Sequence, residues 1–236
     1  MNFEELDYQQ TPLGAVSLRR RAESRAPDGI VYEVQLNDEF LMSSLFTAGE
    51  VALAELALSR LDVANASIVV GGLGLGYTAA AALDHRQTSE VVVIEALGPV
   101  IEWHRNQLVP LGKKLTDDPR CRFVCGDFFG LALAKDGFDH AKPGKQFDAI
   151  LLDIDHAPDH HLAKSNAAFY ESANLLLLKS HLSKQGIFAI WSNDPPAPEF
   201  INLLGGVFKN AESEIVRFPN PYSNDMASNT IYMAFD

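Results

Sequence analysis

Short runs of apolar residues recur along the chain from residue 67 onward, and most are followed by a segment with apolar positions at helical spacing. The runs at 91–94 and 149–152 are apolar at every position, which is typical of parallel strands buried on both faces. The last two runs, 212–218 and 229–235, have no helix between them and should form an antiparallel pair. The pattern predicts strands at 68–72, 91–95, 122–125, 147–153 and 187–192, and helices at 77–85, 99–108, 128–134, 168–182 and 198–204. The predicted fold is α/β, with a mostly parallel sheet and a C-terminal antiparallel hairpin.

The N-terminal part of the chain has a different pattern. Alternating positions predict strands at 14–21 and 30–36, separated by the turn-forming triplet Pro27-Asp28-Gly29. A third short strand is predicted at 39–42, while residues 1–12 are expected to be an irregular lead-in. This region should therefore form a small β appendage.

A helix is expected to connect the two parts of the chain. Thr47, followed three residues later by Glu50, matches a capping box, and 51–61 carries apolar residues at helical spacing. We divide the chain into a β-hairpin appendage at 1–46 and an α/β ligand-binding domain at 47–236.

Charge and composition exclude some classes of partner. The 236 residues carry a formal net charge of -12, so we expect no nucleic acid partner and favour a small neutral or cationic substrate. The acidic first residues lack an apolar signal core and no apolar run approaches the roughly 20 residues of a membrane span, so we expect a cytoplasmic protein without membrane contact. Cys121 and Cys125, placed on one strand, are too far apart for a disulfide and are expected to be small core residues.

A glycine-rich turn follows the first strand of the α/β region. In Gly72-Leu73-Gly74-Leu75-Gly76-Tyr77, glycines allow a tight turn and a close approach of backbone to a ligand. Tyr77 stands where a dinucleotide fingerprint has its third glycine, which favours an adenosyl ligand without a pyrophosphate. A turn that closes without any ligand is the alternative interpretation.

Acidic residues follow the next two strands. Glu95 lies 21 residues after Gly74, where a carboxylate can accept both hydroxyls of a ribose. Asp127 can accept the exocyclic amine of adenine, or cap the helix that starts at Phe128, or do both. Glu95 also has a simpler interpretation as a solvated strand end.

The most polar cluster follows the fourth strand, where a transferred group should lie. Asp153 is expected to point into the cleft and to hold an attacking amine or take its proton, with Asp155 and His156 as further catalytic candidates. We expect no metal, because no ligand pair has helical spacing here, and we interpret His160 and His161 as surface residues.

Two other features are given minor roles. The segment Asn193-Asp194-Pro195-Pro196 follows the fifth strand, and we interpret it as a loop with a proline stop. Tyr77 and Trp191 are expected to line the pocket.

Taken together, the glycine turn, Glu95, Gly126-Asp127 and the strand that ends in Asp153 resemble the spermidine synthase (polyamine aminopropyltransferase) family. The resemblance covers most of 67–192 and implies a class I methyltransferase (Rossmann-like) fold that binds S-adenosylmethionine or its decarboxylated form. It implies ribose binding by Glu95, adenine binding by Asp127 and a catalytic acid at Asp153, with Gly72, Gly74, Gly76 and Tyr77 in the cofactor turn.

The chain departs from this family at two positions. Gly74 replaces an aspartate that helps to hold the aminopropyl amine, and His156 replaces the second aspartate after the fourth strand. These changes favour a spermidine-synthase-like transferase that moves a methyl group to a small or amine-containing acceptor. An aminopropyltransferase with an altered amine site, and a non-catalytic adenosyl-binding or dimerisation module, remain alternatives, and a homodimer is a possible assembly.

Overall fold

The chain folds around two β-sheets in a computed structural model that describes residues 3–37, 39–160, 162, 164–223 and 225–236. The strands are β1 (Phe3–Thr11), β2 (Gly14–Ala22), β3 (Ile30–Leu36), β4 (Glu39–Ser43), β5 (Ala66–Gly71), β6 (Thr88–Glu95), β7 (Cys121–Cys125), β8 (Phe147–Leu152), β9 (Leu182–Ser192), β10 (Asn210–Pro219) and β11 (Met226–Phe235). The helices are α1 (Ala48–Ser59), α2 (Tyr77–Asp84), α3 (Gly98–Arg105), α4 (Gly112–Asp117), α5 (Phe128–Leu133), α6 (Ser172–Ser180) and α7 (Pro198–Gly205), with a 3-10 turn at Lys164–Tyr170. Within the described ranges, no helix is both long and apolar enough to cross a membrane.

The larger sheet confirms the predicted α/β architecture. Its strand order is β10-β11-β9-β8-β5-β6-β7, with β5 to β9 parallel and β10 and β11 antiparallel. The apolar runs form β6 and β8, and Val91–Ile94 and Ala149–Leu152 have no exposed surface. Helices cover both faces of such a sheet, which explains why these strands carry no polar alternation.

The connections of β5 create a natural place for a ligand. The chain leaves β5 towards β6 and β7 on one side, and later returns to place β8 on the other side. At such a switch point, the loops after adjacent strands diverge and leave a crevice at their carboxyl ends.

The smaller sheet has one more strand than predicted. Residues 3–11 form β1, paired antiparallel with β2, where an irregular lead-in was expected. The sequence did not predict this strand because its side chains are mostly polar and exposed, and it therefore lacks an apolar face. Trp103 Nε1 donates a hydrogen bond to Asp7 Oδ2 at 2.6 Å and joins β1 to α3.

A single hydrophobic cluster includes residues of both sheets. Val16 and Val34 of the smaller sheet pack with Leu53 of α1 and Ile68 of the larger sheet. The two parts of the chain therefore share a hydrophobic core. The division into two domains at residue 46 stays a prediction.

Three local predictions were wrong. The long helix expected over 168–182 is a 3-10 turn followed by α6, because Glu171 has an extended backbone (φ -99°, ψ 147°) that interrupts it. The side chain of Thr47 makes no capping hydrogen bond, and Glu50 is buried instead of closing a capping box. Cys125 is exposed, not in the core, and both cysteines are free.

Candidate functional site

Two adjoining cavities lie at the carboxyl ends of the central strands. The first chamber, of about 260 Å³, is bounded by the ends of β5, β6, β7 and β8 and covered by β3 and β4. The second chamber, of about 400 Å³, lies between β4, the N-terminus of α1, the end of β9 and the hairpin β10–β11. The residues that line both are Leu41, Met42, Glu50, His156 and Trp191.

The glycine turn forms one wall of the first chamber and requires glycine for structural reasons. Gly72 has φ +93°, and a Cβ there would lie 2.1 Å from the carbonyl oxygen of Asp153. Gly74 has φ +47°, and a Cβ there would lie 2.3 Å from Met42 Sδ. Met42 therefore occupies the space that a side chain at position 74 would need.

Gly76 lies apart from this wall. It has φ +92° and packs against Leu115 and His104, and it is not among the described residues that line either chamber. Tyr77, the first residue of α2, does line the first chamber, where burial and then the charge of Glu50 raise its pKa. A cofactor contact by Gly76 stays a prediction.

The backbone N–H groups of the turn are largely taken up inside the protein. Gly72 N donates to Ile94 O at 2.9 Å, and Gly76 N donates to Leu73 O at 2.7 Å. Leu73 N donates to Glu95 Oε2 at 2.9 Å, and Leu75 N makes a weak hydrogen bond to Met42 Sδ at 3.2 Å. Few donors of this turn remain for an anionic group of a ligand.

Glu95, at the end of β6, is buried and held by backbone donors. Its Oε2 accepts from Leu73 N and its Oε1 accepts from Leu97 N, at 2.9 Å and 2.8 Å. Burial raises the pKa of Glu95, and the backbone hydrogen bonds oppose this effect. The backbone N–H groups of Gly74 and Ala96 also act on this carboxylate, so it faces four backbone donors at the wall of the first chamber. Ribose binding by Glu95 stays a prediction.

Asp127 caps α5 and also lines the first chamber. Its two oxygens accept from Phe129 N and Gly130 N, each at 3.1 Å, so the structural half of the prediction is confirmed. The same carboxylate lies at the cavity wall, so it retains the capacity to accept an exocyclic amine. The adenine contact stays a prediction.

Asp153 follows β8 and shares the first chamber with Glu50 from the first turn of α1. Thr78 of α2 donates its hydroxyl to Asp153 Oδ2 at 2.6 Å. Burial raises the pKa of Asp153 to about 6, and the Thr78 hydrogen bond opposes this. Burial and then the negative charge of Asp153 raise the pKa of Glu50 to about 8. Near neutral pH Asp153 is therefore ionised and Glu50 keeps its proton, so the pair carries one negative charge.

Asp155 and His156 have different surroundings. Asp155 is buried, and its carboxylate accepts hydrogen bonds from Leu162 N at 2.7 Å, Asn166 Nδ2 at 2.8 Å and the Tyr170 hydroxyl at 2.9 Å. It thus organises a loop whose residues line the first chamber, and it does not line the chamber itself. This geometry favours a structural role over the predicted catalytic one.

His156 lies at the junction of the two chambers, with its Nε2 3.8 Å from Glu39 Oε1. Its ring centroid is 5.1 Å from that of His160, which is exposed as expected, while His161 lies outside the described residues. In the described part of the chain, no three His, Cys, Asp or Glu side chains come close enough together to hold a metal ion.

Sequence reasoning missed two residues that shape this site, Glu50 and Thr78. Glu50 was interpreted as a capping residue, but its spacing from Leu53, Ala54 and Ala57 places it on the buried face of α1. The helical spacing of Glu50 and these apolar residues was the feature of the sequence that could have predicted its burial. Thr78 carried no signal, because its contact with Asp153 joins positions 75 residues apart.

Comparisons with known proteins agree with this architecture. No model of a known protein family matches the sequence. A spermidine synthase in complex with the transition state analogue AdoDATO superposes with a TM-score of 0.71 at 17% identity, covering 98% of this chain and 73% of that one. For the spermidine synthase of Thermotoga maritima the TM-score is 0.69 at 17% identity, with 98% and 72% covered.

A probable spermidine synthase from Corynebacterium glutamicum ATCC 13032 gives a TM-score of 0.67 at 16% identity, with 98% and 80% covered. At such low identity, the likeness concerns the fold. It includes both sheets, since nearly the whole chain is aligned. The chain thus has the fold of the spermidine synthases, which is the class I methyltransferase α/β fold preceded by a small antiparallel sheet.

Proposed function

We propose that this protein is an aminopropyltransferase that uses decarboxylated S-adenosylmethionine and a small amine. The observation that carries the proposal is the charge of the cavity wall. Four carboxylic acids line the first chamber, namely Glu50, Glu95, Asp127 and Asp153, and no lysine or arginine does so among the described residues. Such a wall favours a ligand with positive charges and no carboxylate.

This charge pattern discriminates between the two forms of the cofactor. S-adenosylmethionine carries a carboxylate, which needs a cation or free backbone donors, whereas the donors of the glycine turn are mostly taken. The decarboxylated form carries only an ammonium and the sulfonium. Glu50 would hold this ammonium, because position 74 carries no aspartate, and Asp153 stays available for the incoming amine.

The other residues of the first chamber fit an adenosyl group. Ile94, Leu97 and Phe129 line the first chamber with apolar side chains that would pack on the adenine ring, with Asp127 at the wall. Glu95 lines the same wall and would contact the ribose hydroxyls. The fold neighbour solved with AdoDATO supports this assignment.

When bound, the sulfonium supplies an electrophilic carbon, to which the amine nitrogen bonds while the carbon–sulfur bond breaks and its electron pair passes to sulfur. Asp153 holds the incoming amine and accepts the proton that the nitrogen must lose. Thr78 fixes the orientation of Asp153 through its hydrogen bond. Glu50, protonated near neutral pH, gives up its proton when a cationic group approaches.

Methyl transfer from S-adenosylmethionine is the second candidate. The specific observation in its favour is Met42, which fills the space beside Gly74 and leaves no acid there to hold an aminopropyl amine. A non-catalytic adenosyl-binding module is a third possibility, since the fold alone does not require turnover.

Calorimetry with both forms of the cofactor and with methylthioadenosine separates these candidates. We expect the decarboxylated form to bind at least ~10-fold more tightly than S-adenosylmethionine, about 1.4 kcal/mol. Glu50→Gln should reduce this preference, while Glu55→Gln, an exposed acid of the same helix, should not. Tighter binding of S-adenosylmethionine would favour methyl transfer, and no binding of any of the three would reject both enzymatic functions.

A further inference from the structure

The second chamber suggests which amine the protein uses. We propose that it binds the acceptor, and that this acceptor is a monoamine with an apolar or aromatic body, not a diamine. The inference rests on the proposed aminopropyl transfer and adds the class of acceptor to it.

The position of the second chamber is suited to an acceptor. It adjoins the first chamber along five residues that line both, and Glu50 is among them. An amine that enters from the second chamber reaches the Glu50–Asp153 pair, where a bound cofactor would present its reacting carbon. The nucleophile and the electrophile thus approach the same pair from opposite sides.

Aromatic rings form much of the wall of the second chamber. Phe40, Phe46, Phe218 and Trp191 line it. The ring centroids of Phe46 and Phe218 lie 6.3 Å apart, and the ring centroid of Tyr222 lies 5.9 Å from that of Phe46. Such a wall gains most by burying an apolar or aromatic body.

The charges of the second chamber match one ammonium group. Among its described lining residues, Glu50 is the single carboxylic acid, and the other polar side chains are Ser43, His156, Asn193, Ser228 and Asn229. The acceptor's one amine can reach Asp153, beside Glu50 at the junction. A second ammonium farther along would lose its hydration without gaining a carboxylate, which is unfavourable for a buried charge. Aromatic faces attract a cation more weakly than a carboxylate does.

Glu39, the acid beside His156, does not pair with a second ammonium in the chamber. Glu39 is 62% exposed and its carboxylate lies 3.8 Å from His156 Nε2, and it does not line either chamber. His156 stands where spermidine synthases carry a second aspartate, and an imidazole ring cannot pair with an ammonium as a carboxylate does. Position 156 therefore supplies no carboxylate for a second ammonium.

The test measures methylthioadenosine release from decarboxylated S-adenosylmethionine with phenethylamine, hexylamine, putrescine or cadaverine as the acceptor. We expect kcat/KM to be at least ~10-fold higher for the two monoamines, because only they avoid burying an unpaired charge. A higher kcat/KM for putrescine or cadaverine would overturn the monoamine inference and leave aminopropyl transfer intact. Absence of release with all four amines, together with absence of cofactor binding in calorimetry, would overturn both proposals.

A gain of function gives a second, independent readout. Asn193→Asp places a carboxylate of nearly the same shape in the wall of the second chamber. It should raise kcat/KM for putrescine relative to phenethylamine by ~10-fold or more. Asn106→Asp, at the exposed end of α3, adds the same charge away from the chamber and should leave the ratio unchanged. An unchanged ratio in Asn193→Asp would contradict the charge argument.

Discussion

Glu95 and Asp153 are acids at the ends of two strands that flank β5, yet the protein treats them differently. Both have a pKa raised by burial. Glu95 has backbone N–H donors on each oxygen, whereas Asp153 has one hydroxyl donor and a neighbouring carboxyl, Glu50. The comparison indicates that donors around a buried acid decide its role. An acid surrounded by donors is fixed as part of the scaffold and a binding surface, while an acid beside another acid is poised to exchange a proton.

The largest effect should come from removing the proton acceptor. Asp153→Asn keeps the shape and the hydrogen-bonding reach of the side chain but cannot accept a proton. We expect turnover to fall by ~10²–10⁴-fold, the usual contribution of a general base, while methylthioadenosine binds as before. Steady-state assays and calorimetry on the same preparation check this. Unaltered turnover would remove Asp153 from the mechanism.

Removing Glu95 should affect binding and stability together. Glu95→Ala leaves the N–H groups of Leu73 and Leu97 without their acceptors in a buried place, at a cost of about 1–3 kcal/mol each. Urea unfolding should therefore show a loss of stability, and calorimetry should show weaker cofactor binding. Glu95→Gln keeps one oxygen acceptor and should be intermediate in both measurements. If Glu95→Ala is as stable as the parent, the scaffold role is wrong.

The proton on Glu50 should be visible in the pH dependence of stability. Since the pKa of Glu50 is raised to about 8, the folded protein keeps a proton there that the unfolded chain releases above its ordinary, lower pKa. The free energy of unfolding should therefore fall as pH rises from about 5 to about 8, by at most ~1.4 kcal/mol per pH unit for this group.

Glu50→Gln removes this proton equilibrium. We expect a flatter profile than the parent over that range and a higher free energy of unfolding at pH 8, measured by urea titration. Glu55→Gln, on the exposed side of α1, is the control and should follow the parent profile. Parallel profiles for the parent and Glu50→Gln would mean that Glu50 is not protonated in the folded protein.

The smallest expected effect concerns Asp127, an exposed acid with two backbone donors. Asp127→Ala should lower stability by ~1 kcal/mol through loss of the α5 cap, whereas Asp127→Asn should keep the cap. Any further loss of cofactor affinity in Asp127→Asn would then report the adenine contact. Equal affinity of the parent and Asp127→Asn would leave Asp127 as a cap alone.

Much of the fold could be predicted from the sequence because its central strands are buried on both faces. Runs such as 91–94 are apolar at every position, and the ends of these strands directed attention to Glu95 and Asp153. Strand β1 is mostly polar and has no apolar pattern in the sequence. It can be recognised only in the structure, from its pairing with β2. The carboxyl pair was missed for a related reason. Glu50 and Asp153 are separated by about half the chain, and only the packing of α1 over the sheet brings their charges together.

The crowding at Gly72 has an evolutionary consequence. Any side chain at this position would collide with the carbonyl oxygen of Asp153, at 2.1 Å from the Cβ, whether or not a ligand is bound. Natural selection on folding alone would therefore retain this glycine in descendants that had lost all activity. This glycine in a distant homologue would therefore reflect only how the two strand ends pack together. Substitution of Glu50 or Thr78 would be the earlier sign that a homologue has lost the proposed activity.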